Sequence, residues 1–202
     1  MPLPRFYPIL DTATASRFGV TPADAAARML RAGARILQFR HKEVFSRDVF
    51  QELERVANLC AKSGARLIVN DRADLARLFD AGLHLGQEDL TPSQARIVAG
   101  SAAFIGYSTH SALQLQAAAA EPADYFAFGP VFATTTKTNP DPVVGLENLP
   151  RLRALTDRPL VAIGGITRSN ARGVLDAGAD SVAVIGDLFP DIESSVAQFL
   201  RM

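Results

Sequence analysis

Residues 21–40 read TPADAAARMLRAGARILQFR, one complete step from helix start to strand. Thr21 followed by Pro22 is a helix start: the threonine hydroxyl caps free N–H groups, and proline fits the first helical position. Ala32-Gly33 is a helix stop, because glycine takes the left-handed conformation that ends a helix. The apolar run that follows does not alternate with polar residues and reads as a strand buried on both faces. The phrase recurs with Ser63-Gly64 before ARLIVN, Ala81-Gly82 before LHLG, Ala99-Gly100 before SAAFIGY and Ala177-Gly178 before ADSVAVI. Pro122 before ADYFAF and Pro159 before LVAIGG open two more runs of the same kind.

Eight strands are predicted, near 5–10, 35–40, 66–70, 82–85, 103–107, 124–128, 159–163 and 180–185. Helices fall between them, with a last one near 189–200; Thr91 and Pro92 repeat the start signal of Thr21 and Pro22. Strand alternating with helix implies a parallel sheet. Eight units of about 25 residues suit closure into an α/β (β/α)8 barrel, a TIM barrel, as one domain over 1–202. An open doubly wound sheet is the structural alternative. Units this short leave little loop, with one exception: ATTTKTNPDPVVG, 133–145, has no helical period and reads as an irregular functional loop.

The charges cancel, 21 Lys+Arg against 21 Asp+Glu, which argues against a nucleic-acid groove or an anionic membrane surface as partner. An apolar fraction of 48% excludes a disordered chain. No apolar run approaches the roughly 18 residues of a membrane span. MPLPRFYPIL at the start carries no basic leader. The expectation is a soluble cytoplasmic protein. Cys60 is the single cysteine and reads as a core thiol on a helix. Only 3 of the cations are Lys (Lys42, Lys62 and Lys137), so where they fall is informative.

Barrel chemistry sits at the carboxyl ends of the strands. Strand 2 ends in Gln38, Phe39, Arg40, His41 and Lys42. Alternation sends Gln38, Arg40 and Lys42 to one side, where two cations and an amide suit a phosphate or diphosphate. A solvated charged loop is the plainer reading. Strand 3 ends in Asn70-Asp71, which also suits a helix N-cap. Strand 4 ends in HLGQEDL, giving Asp89; Asp71 and Asp89 at one rim facing a diphosphate suggest Mg²⁺. Ser108, after strand 5, can donate to an oxyanion, and the residue order suggests no Ser-His-Asp relay. His84 reads as a core imidazole and His110 as a loop or helix-start residue. Thr134, Thr135, Thr136 and Lys137 on the long loop make an anion clamp. Gly164-Gly165 after strand 7 and Ile185-Gly186 after strand 8 let backbone N–H groups approach a phosphate.

Taken together, QFRHK (38–42), VNDRADLA (69–76), GLHLGQEDL (82–90), GYSTH (106–110), DYFAFGPVFATTTK (124–137), VAIGGI (161–166) and GADSVAVI (178–185) resemble the thiamine phosphate synthase family. The segments occur in family order over nearly the whole chain. The resemblance implies a (β/α)8 transferase that joins a pyrimidine diphosphate to a thiazole phosphate, with release of pyrophosphate. It implies that Gln38, Arg40, Lys42, Asn70, Ser108 and Lys137 hold the pyrimidine diphosphate, with Phe39 and His41 in the same binding segment. Asp71 and Asp89 would bind Mg²⁺. Thr134, Thr135 and Thr136 would contact the thiazole phosphate, held also by Gly165, Ile185 and Gly186. Arg40, Lys42, Ser108 and Lys137 would be catalytic, acting on the charge of the departing diphosphate.

Two positions depart from the family pattern. The family usually has an acidic residue where His41 stands and often Ser where Gly186 stands. The competing readings are a thiazole tautomerase on the same barrel, which needs neither the diphosphate nor Mg²⁺, and a non-catalytic phosphate-binding barrel. The partners implied are small molecules. Pairing through outer helices as a homodimer suits a barrel of this size, and no sequence feature selects it.

Overall fold

A computed structural model describes residues 3–134, 141–189 and 191–202. Eight parallel strands close in chain order into a barrel: β1 (Phe6–Asp11), β2 (Ile36–Arg40), β3 (Arg66–Asn70), β4 (Gly82–Leu85), β5 (Ile105–Thr109), β6 (Tyr125–Phe128), β7 (Leu160–Ile163) and β8 (Ser181–Val184). Around them lie α1 (Thr12–Arg17), α2 (Pro22–Arg31), α3 (Arg47–Ser63), α4 (Ala73–Leu78), α5 (Pro92–Ala99), α6 (Ala112–Ala118), α7 (Leu149–Arg153), α8 (Ala171–Asp176) and α9 (Ile192–Phe199). The barrel reading holds, and the open sheet is excluded because β1 pairs with both β2 and β8.

The starts and stops follow the sequence. Thr21 caps α2 by accepting from Asp24 N at 3.2 Å. Thr91 and Gln94 form a reciprocal capping box at α5, with bonds of 3.3 and 3.0 Å. Cys60 is buried on α3 beside Leu53 and Val56, on one face of the helix, and burial pushes its thiol up to about 12. β5 begins two residues later than expected, because Ala103 N donates back to Gly100 O and keeps that segment in a turn.

Gly82 is a correction to the helix-stop rule. The left-handed residue after α4 is Asp80 (φ 49°), and Gly82 lies inside β4. What Gly82 lacks is volume: a Cβ there would stand 2.4 Å from Ile68 Cδ1. Gly106 in β5 does the same for Tyr125, whose Cζ would lie 2.0 Å from such a Cβ.

Alternation divides the strand residues into two apolar layers. Phe6, Leu10, Leu37, Phe39, Val69, Leu83, Phe126 and Val182 face the helices. Tyr7, Ile9, Ile36, Ile68, Tyr125, Ala127, Val161 and Ala183 fill the barrel interior. The inward positions turn polar toward the carboxyl ends of the strands, where Asp11, Gln38, Asn70 and His84 are all buried. That end is the mouth of the barrel.

Candidate active site

Asp11 follows Ile9 on the inward face of β1 and lies opposite Arg40 in the β1–β2 register. Its Oδ2 accepts from Arg40, and its Oδ1 accepts from Thr14 N and Thr14 Oγ1, each at 2.8 Å. One buried carboxylate therefore both caps α1 and aims the guanidinium. The sequence reading missed Asp11. Its only signal was an acidic residue at a strand end, directly before a helix.

Lys42 Nζ donates to Asp71 Oδ2 at 2.6 Å. Asp71 is not the N-cap that its sequence context also allowed. The capping position of α4 is Arg72, which makes no side-chain cap bond. Asp71 instead sits in the left-handed region (φ 64°), anchored by its N–H to His84 O at 2.8 Å, with its carboxyl in the mouth. Burial pushes that carboxyl above the usual range; Lys42 pulls it down, and the neighbouring Asp89 pushes it up again. Asp89 is fixed by Gly86 N, which donates to Oδ2 at 2.7 Å.

No group of three or more His, Cys, Asp or Glu able to hold a metal occurs among the described residues. Two carboxylates that repel each other do fit a magnesium ion, which commonly takes one or two protein carboxylates and fills its shell with water and substrate phosphate. Asn70 adds a second sign of a ligand. It is 8% exposed, and its Nδ2 has no partner among the described residues. A buried amide donor is costly to leave unpaired.

Behind the mouth runs a hydrogen-bonded chain. Gln38 Nε2 donates to Tyr7 Oη at 3.0 Å, Tyr7 and Tyr125 hydroxyls are 2.9 Å apart, and Tyr125 Oη is 3.0 Å from His84 Nδ1. His84 Nε2 is 2.9 Å from Ser108 Oγ, and Gln87 Nε2 donates to Ser108 O at 2.6 Å. Burial lowers His84 to about 4 and keeps it neutral; burial also raises both tyrosines. His84 is buried as expected, yet it reaches a site residue.

Two residues of the strand-2 segment face elsewhere. Phe39 is 1% exposed and packs its ring in the outer layer against the helices, so its side chain is not part of the mouth. His41 has Nδ1 2.7 Å from Thr12 Oγ1 and Nε2 3.2 Å from Val44 O. It braces the loop after β2 and spends both nitrogens doing so.

On the far side of the mouth, Phe132 N donates to Gly164 O at 3.0 Å. A Cβ on Gly165 (φ 63°) would stand 2.4 Å from Ala133 O, so the stem of the long loop presses on the Gly-Gly turn. Thr134 follows directly. Thr135, Thr136 and Lys137 lie outside the described residues. Ile185 leads into a 3₁₀ turn, Gly186–Leu188. Arg168 ties this turn to the loop after β7 through Asp187, at 2.8 Å from its backbone and 3.0 Å from Nε. His110 Nδ1 is 2.7 Å from Gly129 O, a loop role as expected.

A parallel eight-stranded barrel with cations, paired carboxylates and glycine turns at its mouth belongs to the (β/α)8 class, whose enzymes keep their sites at that end. Residues 6–188 match the family model described as thiamine monophosphate synthase. The thiamine-phosphate synthase of Koribacter versatilis is 46% identical over 206 residues, covering 99% of this chain and 96% of that protein. The enzyme of the same name from Albidiferax ferrireducens is 41% identical, covering 91% of this chain and 84% of its own. Among solved structures, the thiamine phosphate pyrophosphorylase from Pyrococcus furiosus superimposes with a TM-score of 0.85 at 32% identity, covering 98% and 93% of the two chains. The chain belongs to the thiamine monophosphate synthase family and is a transferase.

Proposed function

We propose that the enzyme condenses 4-amino-2-methyl-5-(hydroxymethyl)pyrimidine diphosphate with 4-methyl-5-(2-phosphoethyl)thiazole, or its carboxylate form, to give thiamine phosphate and pyrophosphate. The observation that carries this reading is the cluster at the ends of β2 to β4. Lys42 pairs with Asp71, Asp71 feels Asp89, and Arg40 is held alongside by Asp11. That set answers a diphosphate with a divalent ion. A thiazole tautomerase would have no use for it.

Arg40 and Lys42 bind the diphosphate oxygens and offset the charge that builds on them as the methylene C–O bond breaks. Lys137 joins them by resemblance to the family. Asn70 offers its unpaired amide to the same ligand, and Ser108 donates its hydroxyl. Asp71 and Asp89 would hold magnesium, whose charge favours departure of pyrophosphate. The bonding electrons leave with the diphosphate. The aminopyrimidine ring spreads the resulting positive charge, and the thiazole nitrogen then bonds to the methylene. No enzyme nucleophile is needed. Thr134, Thr135 and Thr136, with the backbone at Gly165, Ile185 and Gly186, hold the thiazole phosphate in line.

The test is the two-substrate assay on purified full-length chain with Mg²⁺, with and without EDTA. Thiamine phosphate and pyrophosphate are expected in equal amounts, and EDTA abolishes both. Failure to form product, together with aromatisation of a thiazole carboxylate isomer, would assign the tautomerase instead.

A further inference from the structure

We propose that Gln38, Tyr7, Tyr125 and His84 form a one-way hydrogen-bond relay that fixes the direction of the Ser108 hydroxyl, with its hydrogen aimed at the anion in the mouth. The proposal rests on the reading above for the identity of that anion.

The direction follows from counting hydrogens. The Gln38 amide nitrogen has hydrogens and no lone pair to offer, so Tyr7 Oη accepts at 3.0 Å. Tyr7 still has one hydrogen to place, and Tyr125 Oη at 2.9 Å is the acceptor in reach, so the relay runs from Tyr7 to Tyr125. Having accepted, Tyr125 directs its own hydrogen to His84 Nδ1 at 3.0 Å. That bond requires Nδ1 to be bare, which excludes both the imidazolium and the other neutral tautomer. Nε2 therefore carries the hydrogen and donates to Ser108 Oγ at 2.9 Å. With its inward lone pair taken, Ser108 turns its own O–H outward. Gln87 holds the Ser108 carbonyl from the other side at 2.6 Å, so the residue does not swing.

The reverse polarity would aim the Ser108 hydrogen into the barrel and present only lone pairs to a diphosphate, which would repel it. Tyr7, Tyr125 and His84 are thus positioning residues for Ser108. Their cost is visible in the packing: an inward glycine, Gly106, clears the space in which the Tyr125 ring lies, since a Cβ there would stand 2.0 Å from Tyr125 Cζ. A purely space-filling role would be met by Phe at positions 7 and 125 and needs neither hydroxyl.

Two readouts test this without turnover. In ¹⁵N-labelled full-length protein at neutral pH, the imidazole shifts of His84 are expected to show a protonated Nε2 and a bare Nδ1; a protonated Nδ1 overturns the relay. Inorganic pyrophosphate affinity, measured by calorimetry with Mg²⁺, is expected to fall about tenfold in Tyr125→Phe, as for one misdirected hydrogen bond to a charged group. In His84→Gln the side-chain amide replaces the Nε2 donor and retains most of the affinity, whereas His84→Asn replaces the Nδ1 end and loses it. Equal affinities in wild type and Tyr125→Phe, or equal losses in the Gln and Asn variants, overturn the proposal. An inactive wild type that still shows the Nε2 tautomer and the Gln-over-Asn order would sink the functional reading and uphold the relay.

Discussion

Asp11 and Arg40 face each other at the ends of β1 and β2 as an ion pair nearly sealed from solvent, with side chains 6% and 18% exposed. Removing one partner strands a buried charge, which is the costly direction for such a pair. Asp11→Ala also strips the cap from α1. The expected loss is about 3 kcal/mol, less than for a fully buried pair because the guanidinium keeps some water. For a chain of this size that lowers Tm by roughly 6–12 °C. Activity should fall with it, since Arg40 loses its aim. Thermal denaturation of the variant checks this, and a Tm within a degree of wild type would count against it.

Asp71 combines a left-handed backbone with a carboxyl crowded by Asp89. Asn tolerates that backbone and removes the crowding, whereas Ala meets the left-handed penalty of about 1–2 kcal/mol. Asp71→Asn is therefore expected to be at least as stable as wild type without metal, and more stable than Asp71→Ala, while both lose activity by orders of magnitude. Mg²⁺ should raise the Tm of wild type and of neither variant. An equal Mg²⁺-induced rise in Asp71→Asn would remove Asp71 from the metal site.

Acid should destabilise the barrel through His84. Its folded value, about 4, lies below the ordinary 6.5, so the unfolded chain binds the proton that the folded one refuses. The stability is present in full above about 6.5 and is lost as pH falls toward 4, by up to about 3 kcal/mol. Asp71 shifts the other way. Its raised value makes the metal-free fold lose stability as pH climbs out of the ordinary carboxylate range, and it weakens Mg²⁺ binding on the acid side. Urea midpoints between pH 7 and 4 should fall less for His84→Gln than for wild type. Parallel curves for the two proteins would rule out His84 as the source.

Gly186 opens the 3₁₀ turn after β8. Gly186→Ser would add a hydroxyl donor beside the backbone N–H, and one such bond to a phosphate is expected to tighten binding of the thiazole phosphate about tenfold at most. Calorimetric titration with 4-methyl-5-(2-phosphoethyl)thiazole checks it. Unchanged or weaker affinity would mean that the hydroxyl does not reach the phosphate.

The barrel was legible because its signals are local: two Thr-Pro helix starts, and apolar runs led in by a small residue and glycine at five points and by proline at two more. Parity along β2 was equally plain, and it already separated Phe39 from Gln38 and Arg40; counting the whole 38–42 segment as binding set that parity aside. What stayed hidden depends on contacts across the barrel. Nothing near Tyr7 in sequence reveals that it meets Tyr125, 118 residues away. Asp11 could be weighed only once Arg40 stood opposite. Asp80 took over the left-handed position from Gly82 because the interior needed Gly82 for its small size.

The stem of the loop after β6 is closed by its own backbone: Val144 N donates to Pro130 O at 2.8 Å and Gly145 N to Val131 O at 3.2 Å. Entry and exit are thereby stapled side by side on the rim before any substrate arrives. Such a stem acts as a socket for a cassette. Residues can be inserted or deleted beyond it without disturbing the β6–β7 register, since lengthening a closed loop costs little entropy. Descendants of this barrel could thus acquire new ligands by changing loop length at this one point while the eight strands stay as they are.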